Sequence, residues 1–128
     1  MKIEHLAIWV EDLEKMRGFY TKYFGMQCSD KYINTQKGFS SYFLSFGSGT
    51  RIEIMNRADI LLPKDEKGKV LGLAHFSISV GSKEAVDKLT NLFKSEGVSI
   101  IGEPRTTGDG YYESVILDPE RNQVEITE

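Results

Sequence analysis

Four residues in this chain have side chains suited to holding a metal ion: His5, Glu53, His75 and Glu125. His5 and His75 are the only histidines in the sequence. Each of the four lies in a short strand-like run, Ile3-Glu4-His5-Leu6-Ala7-Ile8-Trp9, Arg51-Ile52-Glu53-Ile54-Met55, Leu73-Ala74-His75-Phe76-Ser77-Ile78-Ser79-Val80 and Gln123-Val124-Glu125-Ile126-Thr127. His5 and Glu53 are 48 residues apart, His75 and Glu125 are 50 apart, and the two sets are offset by 70 and 72 residues. Imidazole nitrogen and carboxylate oxygen together suit borderline divalent ions. Four such ligands on a six-coordinate ion leave two positions open for substrate oxygens or water, as Lewis-acid catalysis requires. Taken singly, a strand histidine is ordinarily a packed, hydrogen-bonded residue and a strand glutamate a solvated one. Their coincidence at matching points of a repeat favours the shared site. A carboxylate between apolar neighbours in a half-buried strand also needs a partner, because its burial alone costs on the order of several kcal/mol.

The elements that must position these residues repeat as well. Residues 3–10 alternate with mostly apolar side chains on both sides, which predicts a strand buried on both faces. Asp12 reads as a helix N-cap and Gly25 as the stop, with Leu13, Met16, Tyr20 and Phe24 as the core stripe and Phe19 and Tyr23 widening it. Three strands follow, at residues 26–34, 40–46 and 51–56. Residues 58–72, with Asp59, Pro63, Lys64 to Lys69 and Gly72, are polar and rich in breakers, and Ile60-Leu61-Leu62 is an apolar island within them. The plan then restarts with a strand at 73–80. Ser82 is the next N-cap, Val86, Leu89, Leu92 and Phe93 are the second stripe, and Gly97 is its stop. Strands at 98–105, 111–118 and 123–127 complete the second half. Gly108-Asp109-Gly110 lies in a connecting loop, and Asp118-Pro119-Glu120-Arg121-Asn122 reads as a type I turn rather than a catalytic cluster. Each half is thus strand, helix, three strands, and two such modules would close a core together.

The remaining composition narrows the classes. The chain has 128 residues, 16 basic and 19 acidic, with a net charge of −3 and no basic patch, so a nucleic-acid partner is not expected. No apolar run approaches the ~18 residues of a membrane span. The N-terminus carries no signal-peptide pattern, so a cytoplasmic location and no membrane partner are expected. Cys28 is the single cysteine, excludes an internal disulfide framework, and has no activating base nearby in sequence, which favours an incidental thiol over a nucleophile. Neither a phosphate-binding glycine loop nor a Gly-x-Ser-x-Gly elbow is present.

The chain resembles the vicinal-oxygen-chelate superfamily, which includes glyoxalase I, bleomycin- and fosfomycin-resistance proteins, extradiol dioxygenases and methylmalonyl-CoA epimerase. The resemblance covers nearly the whole chain. It rests on His5-Leu6-Ala7-Ile8-Trp9-Val10, on Phe19-Tyr20 and Phe24-Gly25, on His75, and above all on Asp118-Pro119-Glu120-Arg121-Asn122-Gln123-Val124-Glu125-Ile126. It implies an α+β fold of two βαβββ modules (about 1–57 and 73–128, joined by a linker at about 58–72) whose curled mixed sheets form a shared metal-binding cleft in one glyoxalase-like domain. It further implies one divalent metal (Zn, Ni, Co or Mn) on His5, Glu53, His75 and Glu125. Dioxygenases and fosfomycin enzymes typically use two histidines and one glutamate, so the carboxylate at Glu53 is similar to the glyoxalase branch.

The activity implied is that of a lactoylglutathione lyase-like enzyme. Proton transfer would run through a metal-chelated enediolate of a 2-oxoaldehyde–thiol adduct, with Glu125 or Glu53 as the base and Glu125 favoured by analogy. Two alternatives stay open. One is a drug- or small-molecule-binding protein on the same fold; the other is another chelate-type enzyme such as an epimerase or dioxygenase. Single-chain members of this size are usually homodimers, so the ligands could pair within a chain or across two. Glutathione-using members carry an arginine four residues after the first histidine, where this chain has Trp9, a departure that points to another thiol or another chelating substrate.

Overall fold

The computed structural model describes residues 1–128 except Pro63 and Glu66, both in the expected linker. The chain divides into two compact units, Met1–Leu62 and Pro63–Glu128. In the first, strand β1 (His5–Trp9) leads to helix α1 (Leu13–Phe24), followed by β2 (Gln27–Cys28), β3 (Tyr32–Asn34), β4 (Phe39–Ser45) and β5 (Arg51–Arg57). In the second, β6 (His75–Ser79) leads to α2 (Lys83–Ser95), β7 (Ile100–Thr106), β8 (Tyr112–Leu117) and β9 (Gln123–Thr127). The fold is α+β with two open, mixed sheets. Their orders are β1-β5-β4-β2, with β3 also on β4, and β6-β9-β8-β7. In each sheet only the pair formed by the first and last strands of the unit is parallel.

The helix boundaries follow from their caps. The Asp12 carboxylate accepts from Lys15 N–H at 2.9 Å and the Ser82 hydroxyl from Ala85 N–H at 3.1 Å, each satisfying a first-turn donor with no partner within the helix. Helix α1 ends where Gly25 takes φ 65°, and α2 ends at Ser95, two residues before Gly97 at φ 76°. Helix α1 buries Leu13, Met16, Phe19 and Tyr20 against Ile52, Ile54, Leu44 and Tyr42 of the sheet it covers. Helix α2 buries Val86, Thr90 and Phe93 over Ile116, Val124 and Ile126. Leu92, expected in that stripe, is 42% exposed. Its place is taken by Thr90, whose hydroxyl donates to Val86 C=O at 2.7 Å and lies 2.7 Å from the buried Ser114 hydroxyl. A threonine satisfied by its own helix and one cross-element partner can occupy the core without an unmet polar group.

Two further expectations are corrected. Residues 26–34 form two strands rather than one. Ser29 interrupts them by donating its N–H to Phe43 C=O at 2.9 Å while its hydroxyl accepts from Phe43 N–H at 3.0 Å. Strand β1 is not buried on both faces. Ile8 packs inward, whereas His5, Ala7 and Trp9 are exposed, because α1 covers only one side of the sheet. In the island at 60–62, Leu61 and Leu62 are exposed.

The segment 118–122 is a built turn. Asp118, 3% exposed, accepts from Glu120 N–H at 3.0 Å, Asn122 N–H at 2.9 Å and Asn122 Nδ2 at 2.7 Å, and Arg121 N–H closes the turn on Asp118 C=O at 2.9 Å. Arg121 takes φ 67° within it. Asp118→Ala leaves two backbone donors without acceptors and is expected to cost about 1–3 kcal/mol, read as a lower urea midpoint with an unchanged slope.

Candidate metal-binding pairs

Parallel pairing of the first and last strands of each unit brings together residues far apart in sequence. In the first sheet His5 is the register partner of Arg51 and Ala7 that of Glu53; in the second, His75 is the partner of Gln123 and Ser77 that of Glu125. The histidine therefore sits two residues behind the glutamate in both pairs, on the face its helix leaves uncovered, because alternate strand residues share a face. His5 Nε2 lies 3.9 Å from Glu53 Oε2, and His75 Nε2 lies 3.1 Å from Glu125 Oε1. The histidine side chains are 40% and 44% exposed and the glutamates 15% and 19%, so each imidazole presents an edge that a ligand can reach while its carboxylate is mostly sheltered. Burial raises the Glu125 carboxyl above the usual carboxylate range; the nearby His75 pulls it back and Glu113 pushes it further up.

The first pair has a support that the sequence reading missed. Glu4 Oε2 lies 2.5 Å from His5 Nδ1, and Arg51 is ion-paired to the other Glu4 oxygen. His5 and, in the second place, Arg51 hold the Glu4 carboxyl below the usual range. The His5 ring stands edge-on to Phe43 with centroids 5.4 Å apart, and the Arg51 guanidinium lies 4.1 Å from the same ring centre. A carboxylate on Nδ1 fixes the tautomer that leaves the Nε2 lone pair for a ligand. Glu4 beside His5 was the one visible signal; its partner Arg51 is 47 residues away and comes near only through strand pairing. Position 74, which corresponds to Glu4 in the second unit, is alanine.

Asn56 belongs to the scaffold. Its side-chain amide donates to Val10 C=O at 2.8 Å and Glu11 C=O at 3.1 Å, clamping the end of β1 to β5. Burial pushes the Cys28 thiol up, which keeps it from being a ready nucleophile at neutral pH.

Each pair fits half of a borderline-metal donor set, one imidazole nitrogen and one carboxylate oxygen on adjacent strands. Among the described residues, no group of three or more histidine, cysteine, aspartate or glutamate side chains is arranged to hold a metal ion. Among them, too, no helix is long and apolar enough to cross a membrane.

Residues 2–126 match the model of the Glyoxalase/Bleomycin resistance protein/Dioxygenase superfamily, and the chain belongs to that superfamily. Among solved structures it is similar to glyoxalase I from Zea mays, with 25% identity and a TM-score of 0.79, over 98% of this chain and 44% of that one. The chain thus spans less than half of the maize enzyme. It shares its fold with the trypanothione-dependent glyoxalase I of Leishmania major (22% identity, TM-score 0.80, 100% of this chain and 86% of that one). It also shares it with a glyoxalase family protein from Enterococcus faecalis (20% identity, TM-score 0.79, 99% and 97%). Among curated proteins, none matches the sequence.

Proposed function

We propose that this protein is a metal-dependent lyase or isomerase of the glyoxalase I type, with His5, Glu53, His75 and Glu125 as the ligands of one divalent ion. The observation that supports it is the repeated pair: the same two ligand types, at the same register offset, on the uncovered face of the same parallel strand pair in both units. When bound, the ion supplies Lewis-acid polarisation of two neighbouring substrate oxygens. Glu125 would take the proton from the hydroxyl-bearing carbon beside the carbonyl and return it to the carbonyl carbon, while the hydroxyl proton passes to the former carbonyl oxygen. Glu53, the equivalent carboxylate of the first unit, would hold the metal and take no part in the proton transfer. Glu4 orients His5 through Nδ1. The proposed substrate is a thiol adduct of a 2-oxoaldehyde, and the proposed assembly a homodimer.

Elemental analysis of protein purified without a histidine tag tests the reading. About one Zn, Ni, Co or Mn per chain is expected (four protein ligands on one ion), and its loss in both His5→Ala and Glu125→Ala. Metal-free protein that gains no thermal stability on adding these ions would refute it, since a ligand that binds only the folded state must raise the melting temperature. Glu4→Ala is expected to weaken metal binding about 10–100-fold, measured by competition with a chromophoric chelator, with His5 itself intact.

A further inference from the structure

The two units place the same ligand types at equivalent points but surround them differently. In the second unit the positions around the pair are polar: Ser79 on β6, Thr127 on β9 and Glu113 on β8. Their counterparts in the first unit are Trp9, Met55 and Ser41. One step further along β5, Arg57 has Phe39 as its register partner. The Trp9 and Phe39 rings meet edge-on at 6.1 Å, and the Arg57 guanidinium lies 5.4 Å from the Trp9 ring centre. Arg57 also lines a recess of about 490 Å³ with Lys37, Gly38, Ala58 and Asp59. Among the described residues, Lys37 makes no ion pair and Arg57 only the exposed one with Asp59, at 2.5 Å. A pair so exposed is weak and yields readily to a better anion.

Glu53, Met55 and Arg57 alternate on one strand and so face the same way. Four residues at ~3.3 Å each set the Cα atoms of Glu53 and Arg57 ~13 Å apart along the strand. We propose that the substrate carries an anionic group remote from its chelating oxygens, joined to them by a planar or apolar framework that lies over Met55, Trp9 and Phe39 and ends at Arg57 and Lys37. This deepens the metal-chelate reading and rests on it. Flat apolar matter gains from the aromatic rings, and the cationic end gives a charge-assisted contact to a carboxylate or phosphate. On the second unit's face the guanidinium, Arg105, is already ion-paired to the sheltered Glu113 at 3.2 Å.

Trp9 is the only tryptophan in the chain, so tryptophan emission, excited selectively over the tyrosines, reports on this surface alone. The probes are 4-(hydroxycarbamoyl)cinnamic acid, its carboxamide analogue and plain cinnamic acid, titrated into the zinc-loaded protein. The hydroxamate offers two adjacent oxygens and the carboxylate is the anionic end. The acid is expected to quench Trp9 and bind about tenfold or more tighter than the amide. In Arg57→Gln the two should fall within about twofold of each other, with the amide's affinity unchanged. Calorimetry on Trp9→Ala should show weaker binding of both. Equal affinity of acid and amide in the unaltered protein would overturn the proposal without any appeal to variants. If plain cinnamic acid binds as tightly as the hydroxamate acid and still needs Arg57, the tail site stands and the chelate reading fails.

Discussion

Glu125→Gln is expected to lower kcat by about 10²–10⁴-fold, the range for removing a positioned general base. The substitution keeps size and most hydrogen bonding while abolishing the proton affinity that the step requires. Burial already presses on the Glu125 carboxyl, so a neutral amide there relieves desolvation rather than adding to it, and the fold should tolerate the change. Steady-state kinetics on metal-loaded protein, with methylglyoxal adducts of glutathione and of other thiols as substrates, gives the number. The same measurement on Glu53→Gln separates the two carboxylates. A fall confined to Glu125→Gln identifies the base; equal falls would mean that both act chiefly as ligands; no fall in either would remove proton transfer by these residues from consideration.

The second large effect concerns stability. Phe93→Ala is expected to cost about 3–5 kcal/mol, the lost transfer energy of the ring plus that of the cavity left behind. Phe93 is fully buried on the inner face of α2 beside Val86 and Thr90, and its carbonyl accepts from Val98 N–H at 2.9 Å where the chain leaves the helix. Because a domain's whole stability is about 5–15 kcal/mol, this one truncation should bring the second unit close to unfolding, seen as a fall in the urea midpoint. Leu92→Ala, one residue earlier and exposed, should change the stability read from the same midpoint by less than about 0.5 kcal/mol. The contrast tests whether Leu92 lies outside the core that Phe93 fills.

The place of Thr90 in that core shows where sequence reading stops. Helical periodicity placed Val86, Leu89, Leu92 and Phe93 on one stripe because it weighs side chains by hydrophobicity. A threonine becomes a core residue only when a partner such as Ser114 arrives from a strand 24 residues away. Residues 26–34 carry an unbroken strand-like pattern, yet the Ser29 side chain competes with the backbone ladder and divides it. The caps at Asp12 and Ser82 and the stops at Gly25 and Gly97 were legible because they are local events, settled by contacts within six residues along the chain.

By itself the sequence determined the duplicated plan, the two helices with their ends, the built turn at Asp118, and the identity of the four residues at matching points of the repeat. All of these depend on periodicity or on spacing along the chain. Tertiary structure decided which face each strand shows to its helix, and so left His5, Ala7 and Trp9 uncovered where the apolar pattern suggested burial on both sides. It also decided the parallel register that sets each histidine two residues behind its glutamate, and the grouping of Glu4, Arg51 and Phe43 around His5. The physical reason is the same throughout. These contacts close loops of about fifty residues, and the partner across a strand pair is chosen by the packing of the whole sheet, which no local stretch of the chain encodes.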